Sequence, residues 1–196
     1  LALLNSVLWF FGVQGYYAMQ PFFQVLDQAV VANAAAMAQG LQAPWALSGG
    51  LMGSFVFIGG SGATLSLALA VLLFCRGRGL RVLALAALPI SLLNVNEILL
   101  FGLPIILNLR LLVPFLAVPA INLVVAVTVV QAGWVAPASM VLPLTAPVVF
   151  NAYVSTGGDM AAVVLQLALT ALGALIYAPY VRAIDRLGQD LSLINI

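Results

Sequence analysis

Apolar positions in this chain gather into long blocks, with neither the alternation of half-buried strands nor the narrow stripe of a soluble amphipathic helix. From Leu1 to Met19 runs a broken hydrophobic segment, loosened by Gly12 and Gly15, which predicts a membrane span or the end of one. Residues Phe22 to Ala38 follow Pro21 and carry Gln24, Asp27, Gln28 and Asn33, the pattern of a helix lying at the membrane interface or packed on a bundle. Gly40 to Gly53, with Pro44 and four glycines, predicts a loop. Phe55 to Cys75 is the clearest span, uncharged until Arg76, Arg78 and Arg81 close it. Two further uninterrupted spans are expected at Leu111 to Gln131 and Met160 to Val181, the last followed by Arg182 and Arg186.

Two other apolar stretches cannot be ordinary lipid-facing helices. Val82 to Leu109 contains Pro89, Asn94, Asn96, Glu97, Gly102, Pro104 and Asn108, and Trp134 to Thr156 contains Pro137, Pro143 and Pro147. Broken backbone at membrane depth survives only where protein or a water-filled cavity surrounds it. Arginine positions decide how these stretches are placed. A full crossing by Val82 to Leu109 would put Arg110 outside while Arg76, Arg78 and Arg81 lie inside. Two re-entrant hairpins dipping in from opposite faces put all six arginines, and the C-terminus, on the cytoplasmic side. The expected fold is therefore all-α, a polytopic transmembrane bundle with two re-entrant hairpins, an arrangement that brings half-helix ends to the midplane where a solute can use them.

Composition narrows the chemistry. Hydrophobic residues make up 65% of the 196 and charged residues 6%, against roughly 25% charged in soluble proteins, so a soluble domain is excluded. The net charge is +1 and there is no basic stripe for nucleic acid. With no His and one Cys, Cys75, no His/Cys metal cluster, disulfide framework or His-dependent nucleophile is available, and no cofactor is expected. Any chemistry must use amides, hydroxyls, five carboxylates and backbone dipoles. A start at Leu1, already within an apolar run that lacks the marks of a signal peptide, reads as a fragment or processed product of something longer.

Glu97, flanked by Asn94 and Asn96, stands deep in an apolar stretch, where a central charge costs roughly 2.5–3.5 kcal/mol on insertion scales. It is either a buried acid paired with a distant Arg or held protonated to join helices, or a ligand-binding or proton-carrying carboxylate. One carboxylate with several amides suits a polyhydroxylated solute, because each hydroxyl both donates and accepts. Gly59-Gly60-Ser61-Gly62-Ala63-Thr64 is not a phosphate loop, lacking the Lys. It is either a close-packing small-residue face or an opened helix whose backbone N–H groups and Ser61 and Thr64 hydroxyls meet a substrate. Trp9-Phe10-Phe11, beside Gln14, reads from composition as an interfacial aromatic belt, with stacking on a sugar as the alternative. Thr156-Gly157-Gly158-Asp159 reads as a loop and helix N-cap, and Cys75 as structural.

These blocks in order, Trp9-Phe10-Phe11-Gly12-x-x-Gly15, Phe55-x-Phe57-x-Gly59-Gly60-Ser61-Gly62-Ala63-Thr64, Asn94-x-Asn96-Glu97, Phe101-Gly102-Leu103-Pro104 and Ser155-Thr156-Gly157-Gly158-Asp159, resemble the membrane-embedded IIC subunit of the bacterial phosphoenolpyruvate:sugar phosphotransferase system, in its lactose/cellobiose/chitobiose branch. The resemblance extends over essentially the whole chain. It implies a permease of the bacterial inner membrane, usually a homodimer, that binds a disaccharide and presents it to a phosphorylated IIB partner, with no phosphoryl-carrying residue of its own. Residues 1–196 would be the C-terminal, substrate-binding half. Glu97 then carries the sugar-bonding role, with Asn96, Gly60, Ser61, Gly62 and Thr64 beside it by analogy.

Two departures stand out. The family's sugar-contacting His is replaced here by Gln14, which donates and accepts hydrogen bonds but does not take up a proton near neutral pH. The family prolines after the Asn-Glu pair and after Asn108 are Ile98 and Leu109. The principal expectation is a sugar permease coupled to IIB. The alternative is a degenerate IIC-like sensor that binds a sugar and regulates an attached cytoplasmic domain such as a cyclic di-GMP phosphodiesterase, in keeping with Gln14 and with the polar turn of the sequence after Ile184.

Overall fold

The computed structural model describes residues 1–103 and 105–194, with backbone alone from residue 189 onward; Pro104 lies outside the described residues. All regular elements among them are helical. The frame is set by two long apolar helices, α8 (Leu109–Gln131) and α10 (Met160–Ile194), each long enough to cross a hydrocarbon core of about 30 Å. Both keep apolar side chains such as Val124, Val164 and Leu175 on the outside, as a lipid-facing surface requires. The short α5 (Thr64–Phe74) packs against α10. Gly173 faces Ser66 where the two helices touch, and a side chain there would collide with the hydroxyl.

The expected continuous span from Phe55 to Cys75 is not a single helix. Ser48 caps a short α4 (Gly49–Leu51), its hydroxyl accepting the Leu51 N–H, and the chain continues as a π-helical turn, Met52–Val56. It then unwinds, with positive φ at Gly59, Gly60, Gly62 and Ala63, before α5 begins. An apolar sequence says that a segment prefers hydrocarbon; it does not say that glycines within it keep helical dihedrals. The loop expected for 40–53 accordingly ends at Ser48.

The two stretches predicted to be broken are broken. α6 (Arg78–Ser91) runs through Pro89 and is followed by a turn at 92–96 and the short α7 (Glu97–Gly102). Residues 135–149 are largely irregular, and only α9 (Phe150–Ser155) is helical near the end of that stretch. The two stretches meet directly, the Val148 N–H donating to the Leu92 carbonyl at 2.7 Å.

At the N-terminus α1 (Ala2–Phe10) and α2 (Gly15–Ala18) are separated by a kink at Gly12, and α3 (Gln20–Ala38) carries Pro21 in its first turn, where no N–H partner is needed. α3 is packed on the bundle through Phe23, Val30 and Asn33. The Asn33 amide donates to the carbonyls of Trp45 and Ala138 and accepts the Trp45 N–H. Asp159 caps α10 as expected, accepting from Ala161, while its other oxygen takes the Ala136 N–H at 2.7 Å. The polar stretch after Ile184 is helical through Ile194.

Candidate functional site

The unwound stretch at 57–63 interrupts the bundle between two apolar clusters, one around Leu67, Leu99, Phe115 and Tyr177 and the other around Leu51, Phe55, Val130 and Leu169. Every unwound backbone group buried in the bundle needs a partner, and side chains supply several of them. Asn94, itself at φ +59, accepts the Gly59 N–H at 2.8 Å and donates to the Ala146 carbonyl at 2.8 Å, joining three separate segments. Asn96 donates to the Ser61 carbonyl at 3.0 Å. Tyr177 donates to the Gly62 carbonyl at 2.7 Å, and Thr64 closes on the Gly59 carbonyl at 2.6 Å.

Beside this stretch lies a cavity of about 390 Å³, within the usual range for small-molecule sites. Glu97, Asn94 and Asn96 reach it from the α6–α7 turn, Gly60 and Ser61 from the unwound segment, and Trp9 and Gln14 from the N-terminal helices. Glu97 begins α7 with Asn96 as its N-cap. Its Oε2 is buried without a hydrogen-bond partner among the described residues, and so is Asn5 Oδ1, while Asn5 Nδ2 holds the Ser61 hydroxyl at 2.9 Å. No arginine lines the cavity.

Behind the cavity lining, Gln166 lies fully buried within the apolar α10 at the centre of a polar network. Its amide nitrogen donates to the Ser54 carbonyl and to Asn151 Oδ1, and its oxygen accepts the Val149 N–H at 2.6 Å. That last bond holds Val149 at φ +74, a conformation a β-branched residue otherwise avoids. Ser54 and Ser155 share a hydroxyl contact at 2.9 Å and face the cavity with Asn151.

Aromatic rings complete the lining. Trp9 is 8% exposed and turned inward, so the interfacial-belt reading fails for it; Phe11, at 63%, remains outside. Tyr16 packs against Phe23 with ring centroids 4.9 Å apart, and Tyr17 and Phe57 stand nearby. A second carboxylate, Asp27 on α3, also lines the cavity, and burial raises its pKa above the ordinary carboxylate value. Acids, amides, hydroxyls and aromatic faces together can hold an uncharged, polyhydroxylated molecule: the polar groups exchange hydrogen bonds with hydroxyls and the rings cover C–H faces. No grouping of His, Cys, Asp and Glu among the described residues could hold a metal ion.

Residues 1–119 match the family model described as "Phosphotransferase system, EIIC". The chain belongs to this EIIC family. It is 29% identical over 216 residues to the cellobiose-specific EIIC component of Lactococcus lactis, covering 96% of this chain and 43% of that relative. It is 32% identical over 188 residues to the oligo-beta-mannoside-specific EIIC component of Bacillus subtilis, covering 93% and 42%. Among solved structures it matches the crystal structure of ChbC, the IIC component from the N,N'-diacetylchitobiose-specific phosphotransferase system, with a TM-score of 0.90 and 32% identity, covering 94% of this chain and 43% of that one. This EIIC chain thus spans less than half the length of the relatives it matches.

Of the site residues named from sequence, Glu97, Asn96, Gln14, Gly60 and Ser61 line the EIIC cavity together. Gly62 and Thr64 do not. Gly62 lies under the Phe115 ring, and the Thr64 hydroxyl is spent on the Gly59 carbonyl, so both shape the unwound backbone without facing the cavity. Sequence reasoning missed Asp27, Tyr16 and Tyr17, which the return of α2 and α3 brings over the cavity, and Gln166, whose only signal was a lone amide in an apolar helix.

Proposed function

We propose that this chain is the substrate-binding half of an EIIC permease, holding a β-linked disaccharide of the cellobiose, chitobiose or lactose type for phosphorylation by a IIB partner. The observation that carries this is the cavity beside the opened helix, which Glu97 lines with a carboxylate whose Oε2 has no hydrogen-bond partner among the described residues. A sugar hydroxyl would donate to the Glu97 carboxylate, Asn96 and Gln14 would take further hydroxyls, and Trp9 would cover a ring face. The names of the relatives supply the sugar class. Glu97, Asn96, Gln14, Gly60 and Ser61 are the residues assigned to binding.

In this reading the chain is a multi-pass protein of the bacterial inner membrane with a cytoplasmic C-terminus, homodimeric in its full-length form. The breaks at 92–96 and across 135–149 are two re-entrant hairpins, and the bond between Val148 and Leu92 supports their meeting at depth. EIIC contributes by positioning the sugar hydroxyl; the phosphoryl group arrives on IIB.

Gln14 favours a second reading, a sugar-binding sensor without phosphotransfer, because an amide cannot accept the hydroxyl proton near neutral pH. Vesicles carrying the complete protein, loaded with phosphorylated IIB and given radiolabelled cellobiose, separate the two. Accumulation of phosphorylated sugar supports the permease. Sugar binding without phosphorylated product overturns it in favour of the sensor, and absence of binding of any β-linked disaccharide overturns both.

A further inference from the structure

A second cavity, of about 620 Å³, opens where α5 ends and α10 passes it, and it shares no residue with the first. Four arginines line it, Arg76, Arg81, Arg182 and Arg186, against a single carboxylate, Asp185. That carboxylate is already engaged, its two oxygens accepting the backbone N–H groups of Arg76 and Gly77 at 2.8 and 2.9 Å and so fixing the turn after α5. Two of the guanidinium groups make contacts that carry no opposite charge. Arg182 lies over the Phe74 ring at 4.6 Å, and Arg81 Nη1 donates to the Cys75 carbonyl at 3.3 Å. All four arginines are exposed.

The surroundings decide what such a cluster takes. α5 is uncharged throughout, α10 is apolar until Arg182, and the wall of the cavity ends in Leu73, 69% exposed, and Phe74. In a chain of an integral membrane family, this is the level at which apolar helices leave the hydrocarbon. Guanidinium forks match the oxygens of a phosphate, and arginines at a membrane surface each favour anionic lipid. A soluble phosphate would use the arginines but leave the exposed apolar rim without a role.

We propose that this arginine cavity binds the phosphate of an anionic phospholipid headgroup, with the acyl chains descending along Leu73 and Phe74. The site fastens the end of α5 and the passing stretch of α10 to one leaflet, independently of the sugar reading.

The test uses the complete protein in nanodiscs and spin-labelled phosphatidylglycerol or phosphatidylcholine as probes, reading the fraction of motionally restricted lipid. The expected result is a preference for phosphatidylglycerol that falls at least about fivefold in R76Q/R186Q, the equivalent of roughly 1 kcal/mol. R78Q/R110Q, which removes the same charge outside the cavity, keeps the preference. Should the double variant not fold, R186Q alone gives the same reading. Equal loss in both double variants overturns the proposal by showing diffuse charge attraction. Displacement of the labelled lipid by an equal concentration of inorganic phosphate overturns it in favour of a soluble anion, and no preference in the unsubstituted protein overturns it outright.

Discussion

The side-chain amide of Asn96 donates to the main-chain carbonyl of Ser61 at 3.0 Å, and a Cβ added to Gly60 would lie 2.6 Å from the Asn96 Cγ. The unwound segment and the residue preceding Glu97 are thus fitted to each other through a glycine at φ +103. Gly60→Ala is expected to lose about 2 kcal/mol or more of stability, from backbone strain and a displaced hydrogen bond. Thermal denaturation in detergent checks this against Gly53→Ala, where nothing lies within 4 Å of the added methyl. Equal melting temperatures for the two would refute the coupling.

Glu97→Gln keeps the shape and replaces the carboxyl group with an amide. Hydrogen bonds to a carboxylate are worth more than those to an amide, so cellobiose affinity should fall by more than about 1 kcal/mol while folding is retained. Titration calorimetry on the purified full-length protein measures it. An unchanged affinity would leave Glu97 with a structural role only.

Gln14→His restores a titratable group at the cavity. A neutral imidazole can take the hydroxyl proton, so phosphotransfer in the variant should rise as pH increases through about 6.5, a step the unsubstituted protein lacks. Initial rates with phosphorylated IIB across that interval decide it. Superimposable profiles would mean that position 14 does not meet the reacting hydroxyl.

Asp27 gives a stability prediction with a definite sign. Burial raises its carboxyl pKa in the folded protein, so protonation favours the fold and that contribution is lost as pH rises through the folded value. Asp27→Asn removes the loss, and the variant should gain stability relative to the parent on going from acidic to neutral buffer. Melting curves in the two buffers would contradict the assignment if the difference between the proteins stayed constant.

Much of the site was legible in the sequence because its chemistry is rare there. Glu97 among amides, and a run of small residues inside an apolar segment, are conspicuous in a chain with so few polar groups. The two long apolar helices were legible from length and apolarity alone. Apolarity could not separate a straight helix from one opened at Gly59, because both satisfy hydrocarbon equally and the difference lies in dihedrals and in who bonds the freed carbonyls. Those partners, Asn94, Asn96 and Tyr177, come from 35 to 115 residues away. Asp27 was hidden for the same reason: its polar neighbours on α3 look like a surface face until α2 turns that helix back over the cavity.

One helix carries two structural duties at once. Gln166 holds a wall of the polar cavity and Asp185 holds the turn beside the arginines, and on a regular helix they are separated by roughly 28 Å. α10 is therefore a lever with a load at each end. Pro179 removes one backbone hydrogen bond between them and marks where the lever would flex. A tilt imposed at the arginine end would be taken up at Pro179 before it reached Val149 and Asn151, the residues that Gln166 bonds.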